Sequence, residues 1–181
     1  MKQTFGWRKD IYDSRDYLHK VKVVKIPTSV TLMDQLTPLR NQGSIGSCIG
    51  FGVGINVNSV RKKLGIYREW ESPTWIYNGC RFMEGTLDRD AGAYPRDAFE
   101  WLLNSGTLLE SQWPYDGTVL DKSAPSSERM APAVKYPNFA YYRVVDSVEG
   151  ICSAIAEGHF VSIGAPWIRK WDTLAFNLDD K

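Results

Sequence analysis

Apolar and small residues at helical spacing predict a helix that begins at or just after Cys48. Phe51, Ile55 and Ser59 fall on one face of this helix, and that face is predicted to point into the core. Glycine inside a helix costs about 1 kcal/mol relative to alanine, so each glycine there needs a reason. We predict that another backbone packs closely against this helix at Gly50, Gly52 and Gly54.

Two further helices are predicted from their start and stop signals. One begins at Ser72-Pro73, because serine is a favoured N-cap residue and proline is favoured in the first turn. The other runs from Pro95 to Leu103 and is ended by Gly106. The predicted inward-facing residues are Trp75, Ile76, Cys80 and Met83 in the first of these and Ala98, Trp101 and Leu102 in the second.

The pattern changes after the third helix. Between Gly117 and Pro137 the chain is rich in serine, proline, alanine and charge, which is typical of a crossing between two halves. A short helix is predicted at Val148 to Ala156, with Ile151, Cys152 and Ile155 on one side. A strand is predicted after it, at Phe160 to Gly164. We therefore predict an α+β fold with an N-terminal arm at 1–24, a helical half at 25–125 and a β-rich half at 126–181.

Composition and charge exclude several classes of function. The net charge of the 181 residues is +1, which argues against nucleic acid or an anionic membrane as the main partner. No apolar run approaches the roughly 20 residues of a membrane-spanning helix, and the first residues lack the apolar core of a signal peptide. The three cysteines have no metal-site spacing. Asp10, Asp13 and Asp16 recur every three residues without a calcium-loop glycine, so they predict a solvated acidic face.

The segment from Gln42 to Phe51 carries the candidate chemistry. A cysteine is nucleophilic only as thiolate, and the positive end of a helix lowers the pKa of a thiol placed there. Gly43 and Gly46 allow the tight turn that would put Cys48 at such a helix start. The side-chain amide of Gln42 and the backbone N–H of Cys48 would then form an oxyanion hole for acyl transfer. The alternative is a buried cysteine in a glycine-rich loop.

This segment resembles the nucleophile segment of the papain-like cysteine peptidases. Gln42, Gly43, Gly46, Ser47, Cys48 and Phe51 match the family pattern in register, whereas Ile49 stands where many members have tryptophan and Gly50 where they have alanine. The resemblance implies a papain-like fold, Cys48 as nucleophile, Gln42 in the oxyanion hole, a peptide or protein substrate, and no metal or organic cofactor.

A second stretch is similar to the family's substrate-binding edge. Gly92, Ala93 and Tyr94 precede Pro95, and the resemblance implies that an extended substrate backbone pairs with these three residues. Ala93 replaces a second glycine of the pattern, and its methyl group is expected to narrow the subsite. The run Trp113-Pro114-Tyr115 matches an aromatic-proline-tyrosine motif at the family's spacing.

The family's catalytic histidine and its asparagine partner have no counterpart in the 181 residues. His159 stands just before the predicted strand and is expected to be a solvent or edge residue, and His19 belongs to the arm. We therefore expect a β half that is truncated before these residues, with the strand edge and the aromatics of 160–181 packing on another chain.

Three interpretations remain open: a fragment of a longer peptidase, a split enzyme completed by a second chain, or a non-catalytic peptide-binding or assembly protein on a degenerate peptidase fold. Secreted family members usually bond a cysteine at the position of Ile45. The absence of a cysteine at this position and the lack of a signal peptide predict a cytoplasmic protein. A phage-encoded or virion-associated origin is one possibility.

Overall fold

The computed structural model describes residues 6–14, 16–21, 25–135 and 140–166. Within them the chain forms a 3-10 turn at Met33–Gln35 and five α-helices. The helices are α1 at Cys48–Lys63, α2 at Pro73–Met83, α3 at Pro95–Ser105, α4 at Ser127–Met130 and α5 at Val148–Ala156. None of these helices is long and apolar enough to cross a membrane.

Helices α1, α2 and α3 pack together around one apolar core, as predicted. The side chain of Ser72 caps α2 by accepting a hydrogen bond from the Trp75 N–H, and α3 ends at Gly106 with a φ of 86°. The indoles of Trp75 and Trp101 meet with ring centroids 4.9 Å apart. The central core residues are Ile49, Val53, Val57, Trp75, Ile76, Cys80, Ala98, Trp101, Leu102 and Leu108.

Two details of the predicted helix faces are wrong. On α1 the deepest apolar residues are Val53 and Val57, while Ile55 is only half-buried. On α2 Met83 is exposed, because it is the last residue of the helix and lies beyond the residues that pack into the core.

The prediction for the α1 glycines holds at one position. A Cβ on Gly50 would lie 2.6 Å from the carbonyl oxygen of Pro73, so the α2 backbone does approach α1 there. A Cβ on Gly52 would meet nothing within 4 Å, and one on Gly54 would make ordinary van der Waals contacts.

Extended segments meet only as isolated β-bridges in the part of the chain that the structure describes. Two bridges are parallel, Trp7 with Ala93 and Leu18 with Arg143. Two are antiparallel, Glu71 with Leu109 and Thr107 with Val134. The first antiparallel bridge joins the segment before α2 to the segment after α3. The second joins the segment after α3 to the crossing segment.

The C-terminal part differs from its prediction. Helix α5 has the predicted bounds, but its buried residues are Gly150, Ser153 and Ala154, and Cys152 is exposed. Phe160 to Gly164 does not form a ladder with any described segment. Instead the Asn56 side chain of α1 donates hydrogen bonds to the Phe160 carbonyl at 2.9 Å and to Ser162 Oγ at 3.1 Å. The predicted partner contacts of 167–181 lie outside the described residues.

The arm is held by acidic residues that were expected to be solvated. The Asp16 carboxylate receives hydrogen bonds from Arg96 Nη2 at 2.7 Å and from Arg143 Nη1 at 2.9 Å, and only 14% of its side chain is exposed. The two arginines hold the pKa of Asp16 below its ordinary value. Asp10 accepts from the Arg96 N–H at the start of α3. The acidic repeat therefore fastens the arm to α3 and to residue 143, which its spacing did not indicate.

Candidate active site

The turn before α1 is fixed by hydrogen bonds from two sides. The Gln42 side-chain amide donates to the Ile45 carbonyl at 2.8 Å. The Tyr115 hydroxyl donates to the Gln42 carbonyl at 2.6 Å and also bonds the Ser47 hydroxyl at 2.6 Å. Tyr115 belongs to the aromatic-proline-tyrosine run, so that motif directly contacts the turn from Gln42 to Ser47, which we call the nucleophile turn. The Ser47 hydroxyl bonds Tyr115 and makes no side-chain cap to α1, while the Ser47 carbonyl accepts from the Gly50 N–H at 2.8 Å.

An acid that sequence reasoning missed links this turn to the predicted substrate-binding edge. Asp90 accepts a hydrogen bond from the Gly46 N–H at 2.8 Å and another from the Tyr77 hydroxyl. Tyr77 in turn accepts from the Gly92 N–H at 3.1 Å. Asp90 therefore sets the distance between Gly46 and Gly92. No local pattern marks it, because its two partners come from distant segments, the turn before α1 and helix α2.

Cys48 is the first residue of α1, as predicted, and is half-buried. Its pKa is raised above the ordinary thiol value, chiefly because burial disfavours the thiolate. Hydrogen bonds from the N–H groups of Gly6, Ile49 and Cys48 itself act in the opposite direction, and the Asp90 carboxylate adds to the rise. The N–H groups at the helix start thus lower the Cys48 pKa as expected, but burial raises it by more.

The chain's own arm lies along the predicted substrate-binding edge. The Ala93 N–H donates to the Gly6 carbonyl at 2.9 Å, and the Arg8 N–H donates to the Ala93 carbonyl at 3.2 Å. This is backbone pairing of an extended segment with Ala93, whose side chain is fully buried. A Cβ on Gly6 would lie 1.5 Å from the Gly46 carbonyl oxygen, so the arm fits between Gly46 and Gly92 only because residue 6 is glycine.

Side chains of the arm add to this pairing at Arg8. Its guanidinium donates to Glu84 at 2.5 Å and to the Tyr94 hydroxyl at 2.7 Å, and it stacks 4.0 Å above the Tyr94 ring. Burial, together with the neighbouring Asp97, raises the pKa of Glu84 to about 7, although the Tyr94 N–H and Arg8 act to lower it. Tyr94 thus contacts an extended chain, but through its side chain and not its backbone.

The two histidines lie together beside Glu157 and not beside the Cys48 thiol. His19 Nε2 lies 3.3 Å from Glu157 Oε2, and its ring meets the ring of His159 with centroids 5.1 Å apart. These two are the only histidines of the 181 residues. The Cys48 sulfur receives its hydrogen bonds from backbone N–H groups instead.

Comparison with known proteins relates this arrangement to cysteine proteases. No protein-family model matches the chain. Xylellain, a cysteine protease from Xylella fastidiosa, has a similar structure with a TM-score of 0.77 and 27% sequence identity, over 87% of this chain and 64% of that one. An uncharacterized peptidase C1-like protein of Acanthamoeba polyphaga mimivirus is 23% identical over 189 residues, which cover 90% of this chain and 61% of that protein.

More distant structures show the fold alone. The proform of the ragweed pollen cysteine protease Amb a 11 matches with a TM-score of 0.59 and 20% identity, over 75% of this chain and 40% of that one. Digestive procathepsin L 3 from the midgut of Tenebrio molitor larvae matches with a TM-score of 0.60 and 17% identity, over 78% and 45%. The chain spans less than two thirds of the length of each of these relatives. It is therefore similar in fold to the papain-like cysteine proteases over a shared part of their length.

Proposed function

We propose that the protein is a papain-like cysteine peptidase in which Cys48 is the nucleophile. One observation carries the proposal. An extended backbone, Gly6 to Arg8, pairs with Ala93, and Gly6 packs against the Gly46 carbonyl two residues before Cys48. The groove beside the thiol thus accepts a peptide backbone, as hydrolysis of a peptide bond requires.

In the proposed reaction the Cys48 sulfur attacks the scissile carbonyl carbon. A base takes the thiol proton and later delivers it to the leaving amine, and water then hydrolyses the thioester. The Cys48 N–H and the Gln42 amide stabilise the oxyanion, a contribution of roughly 10²–10³ in rate for each donor. Gln42 Nε2 has two N–H bonds, and its bond to Ile45 uses one of them.

The base in this proposal is an imidazole other than His19 or His159, since both of these lie with Glu157. It would come from a further segment of a longer chain or from a second chain. We therefore expect no peptide turnover by the 181 residues alone. Substrate must also displace Gly6 to Arg8, because the arm and the substrate would use the same N–H and C=O groups of Ala93.

A peptidyl chloromethyl ketone tests the proposal without requiring turnover. Its peptide part should seat on Ala93 and its electrophile should alkylate Cys48, so labelling should be faster than with chloroacetone, which has the same reactive group without a peptide, and should be slowed by unlabelled peptide. A Cys48→Ser variant should lose the labelling. Equal rates for both reagents, or preferential labelling of Cys152 by the peptidyl reagent, would show that the groove does not present peptides to Cys48.

A non-catalytic peptide-binding protein is the second candidate. The observation in its favour is that pairing with Ala93 uses only backbone groups and would work without any thiol. The two functions separate when a histidine-bearing segment or chain is supplied: a peptidase then cleaves peptide in a Cys48-dependent way, whereas a binding protein holds the peptide intact.

A further inference from the structure

Three metal-ligating side chains meet at the side of the molecule where the arm crosses the end of α5. The ligand atoms of His19, Glu157 and His159 all lie within 4.8 Å of one another. His19 comes from the arm, and the other two flank Gly158 in the turn after α5. The two imidazole rings stand edge to face at 75°.

The backbone around all three residues is fixed. The His19 N–H donates to the Arg143 carbonyl at 2.9 Å, next to the bridge between Leu18 and Arg143. The His159 N–H donates to the Ala154 carbonyl at 3.0 Å. Gly158 has a φ of 83°, a conformation that favours glycine and that turns the chain so that residues 157 and 159 face the arm.

The chemistry of this group suits a zinc-type ion. Two imidazoles and one carboxylate are a ligand set that zinc binds at about 2.0–2.2 Å, leaving a fourth tetrahedral position for water. Two ligands at that bond length in a tetrahedron are about 3.3–3.4 Å apart. His19 Nε2 and Glu157 Oε2 are separated by 3.3 Å, so these two already have the spacing of such a pair. His159 is exposed and can change rotamer to close the remaining distance.

The burial of His19 supplies a second, independent observation. Its side chain is nine-tenths buried, and so is that of Glu157. The Nδ1 atom of His19 is buried and has no hydrogen-bond partner among the described residues. A buried imidazole normally has both nitrogens engaged, whereas this ring has one contact at 3.3 Å and one unpartnered nitrogen. The ion would bind Nε2, the nitrogen that faces Glu157, and the unpartnered Nδ1 shows that no side-chain hydrogen bond through that nitrogen holds the ring.

We propose that His19, Glu157 and His159 bind a zinc-type divalent ion, with the fourth coordination position open to solvent. The ion joins the arm to the end of α5. The Lys63 ammonium donates to the Gly158 carbonyl at 2.8 Å, so a positive charge stands beside the site and lowers its affinity for a cation. The site is separate from the thiol chemistry and does not depend on the proposed peptidase function.

Titration with zinc chloride, followed by calorimetry and by NMR of the imidazole Hε1 protons, tests this site. Thiols also bind zinc, so the titrations use a full-length Cys48→Ser, Cys152→Ser protein, in which only the buried Cys80 remains. One ion should bind, and both histidine signals should shift together. His159→Gln should weaken binding at least about tenfold, and because this residue is exposed the variant should fold.

Matched variants and ions make the result decisive. Lys63→Gln should bind zinc at least as tightly as the parent protein, and magnesium should not compete, because it prefers oxygen ligands. His19→Gln should weaken binding as much as His159→Gln does. Absence of one-to-one binding in the parent protein, or affinity unchanged in both histidine variants, would overturn the proposal.

Discussion

The two parts of the N-terminal arm contact the rest of the molecule by different means. Gly6 to Arg8 pair mainly through backbone groups, with Ala93 on one side and the Cys48 sulfur on the other. Asp10 and Asp16 are held through their side chains, above all by the two arginines on Asp16, and backbone pairing with Arg143 follows at Tyr17 to His19. The pairing with Ala93 uses backbone groups that another extended peptide also has, whereas the close approach at Gly6 and the Arg8 contacts are specific to this chain. The second part is also specific to this chain and fastens the first in place.

The largest effect is expected when the first part is forced out of its groove. Gly6→Ala places a methyl group where the Gly46 carbonyl oxygen now lies, so residues 6–8 must leave. Iodoacetamide should then alkylate Cys48 at least about tenfold faster, because displacing the arm costs at least about 1.4 kcal/mol in the unaltered protein. Mapping by mass spectrometry, with exposed Cys152 as internal reference, gives the rates.

The matched control for this change is Gly52→Ala, whose new methyl group meets nothing within 4 Å. It should leave Cys48 alkylation unchanged. A Cys48 rate in Gly6→Ala equal to that of the unaltered protein would mean that the arm does not shield the thiol.

Loosening the second part should have a smaller effect of the same kind. Asp16→Asn keeps the shape of the side chain but removes the charge that holds Arg96 and Arg143, a loss of about 1.5–3 kcal/mol for hydrogen bonds between charged groups. Cys48 alkylation should rise, but less than in Gly6→Ala, because the pairing with Ala93 remains. Amide hydrogen exchange of residues 6–14 provides the measurement, and unchanged protection there would contradict the anchoring role of Asp16.

The nucleophile turn should respond to loss of the Tyr115 hydroxyl. Tyr115→Phe removes hydrogen bonds to Gln42 and Ser47 while keeping the edge contact of the ring with Phe51. We expect the free energy of unfolding to fall by about 1–2 kcal/mol, as measured by urea denaturation. Tyr142→Phe, at an exposed tyrosine, is the control. Equal stability of both variants would show that the turn does not need Tyr115.

The smallest effect concerns pH and the contact of Arg8. Burial raises the pKa of Glu84 from 4.5 to about 7, so the folded protein binds more protons than the unfolded chain between these values. This contribution to stability is fully present below pH 4.5 and is lost as pH rises through about 7. Glu84→Gln should therefore flatten the fall in unfolding free energy across that interval, whereas exposed Glu128→Gln should not. An unchanged slope in Glu84→Gln would contradict the assignment.

The sequence predicted the features that depend on local patterns. The serine cap and first-turn proline fixed the start of α2, and α3 and α5 have their predicted helical spans. The resemblance placed Cys48 at the first residue of α1 and Gln42 in the turn before it. These features follow from residues close together in the chain, and similar structures share the fold.

The features that the sequence did not predict depend on contacts between distant segments. Asp90 holds Gly46, and Asp16 holds two arginines, although neither acid stands in a recognisable motif. The rise in the Cys48 pKa comes chiefly from burial, which the helix-start rule does not include.

Acyl transfer to Cys48 is the step on which the account depends. Gly6→Ala protein, mixed with a peptide p-nitrophenyl ester and quenched in acid, should carry one peptidyl group as a thioester on Cys48, detected by intact mass and peptide mapping. The ester's activated leaving group needs no acid catalyst, so the test does not require the absent imidazole. The account predicts the adduct in Gly6→Ala, much less in the unaltered protein and none in Gly6→Ala, Cys48→Ser. An adduct found equally on Cys152, or no thioester on Cys48 in Gly6→Ala, would contradict it.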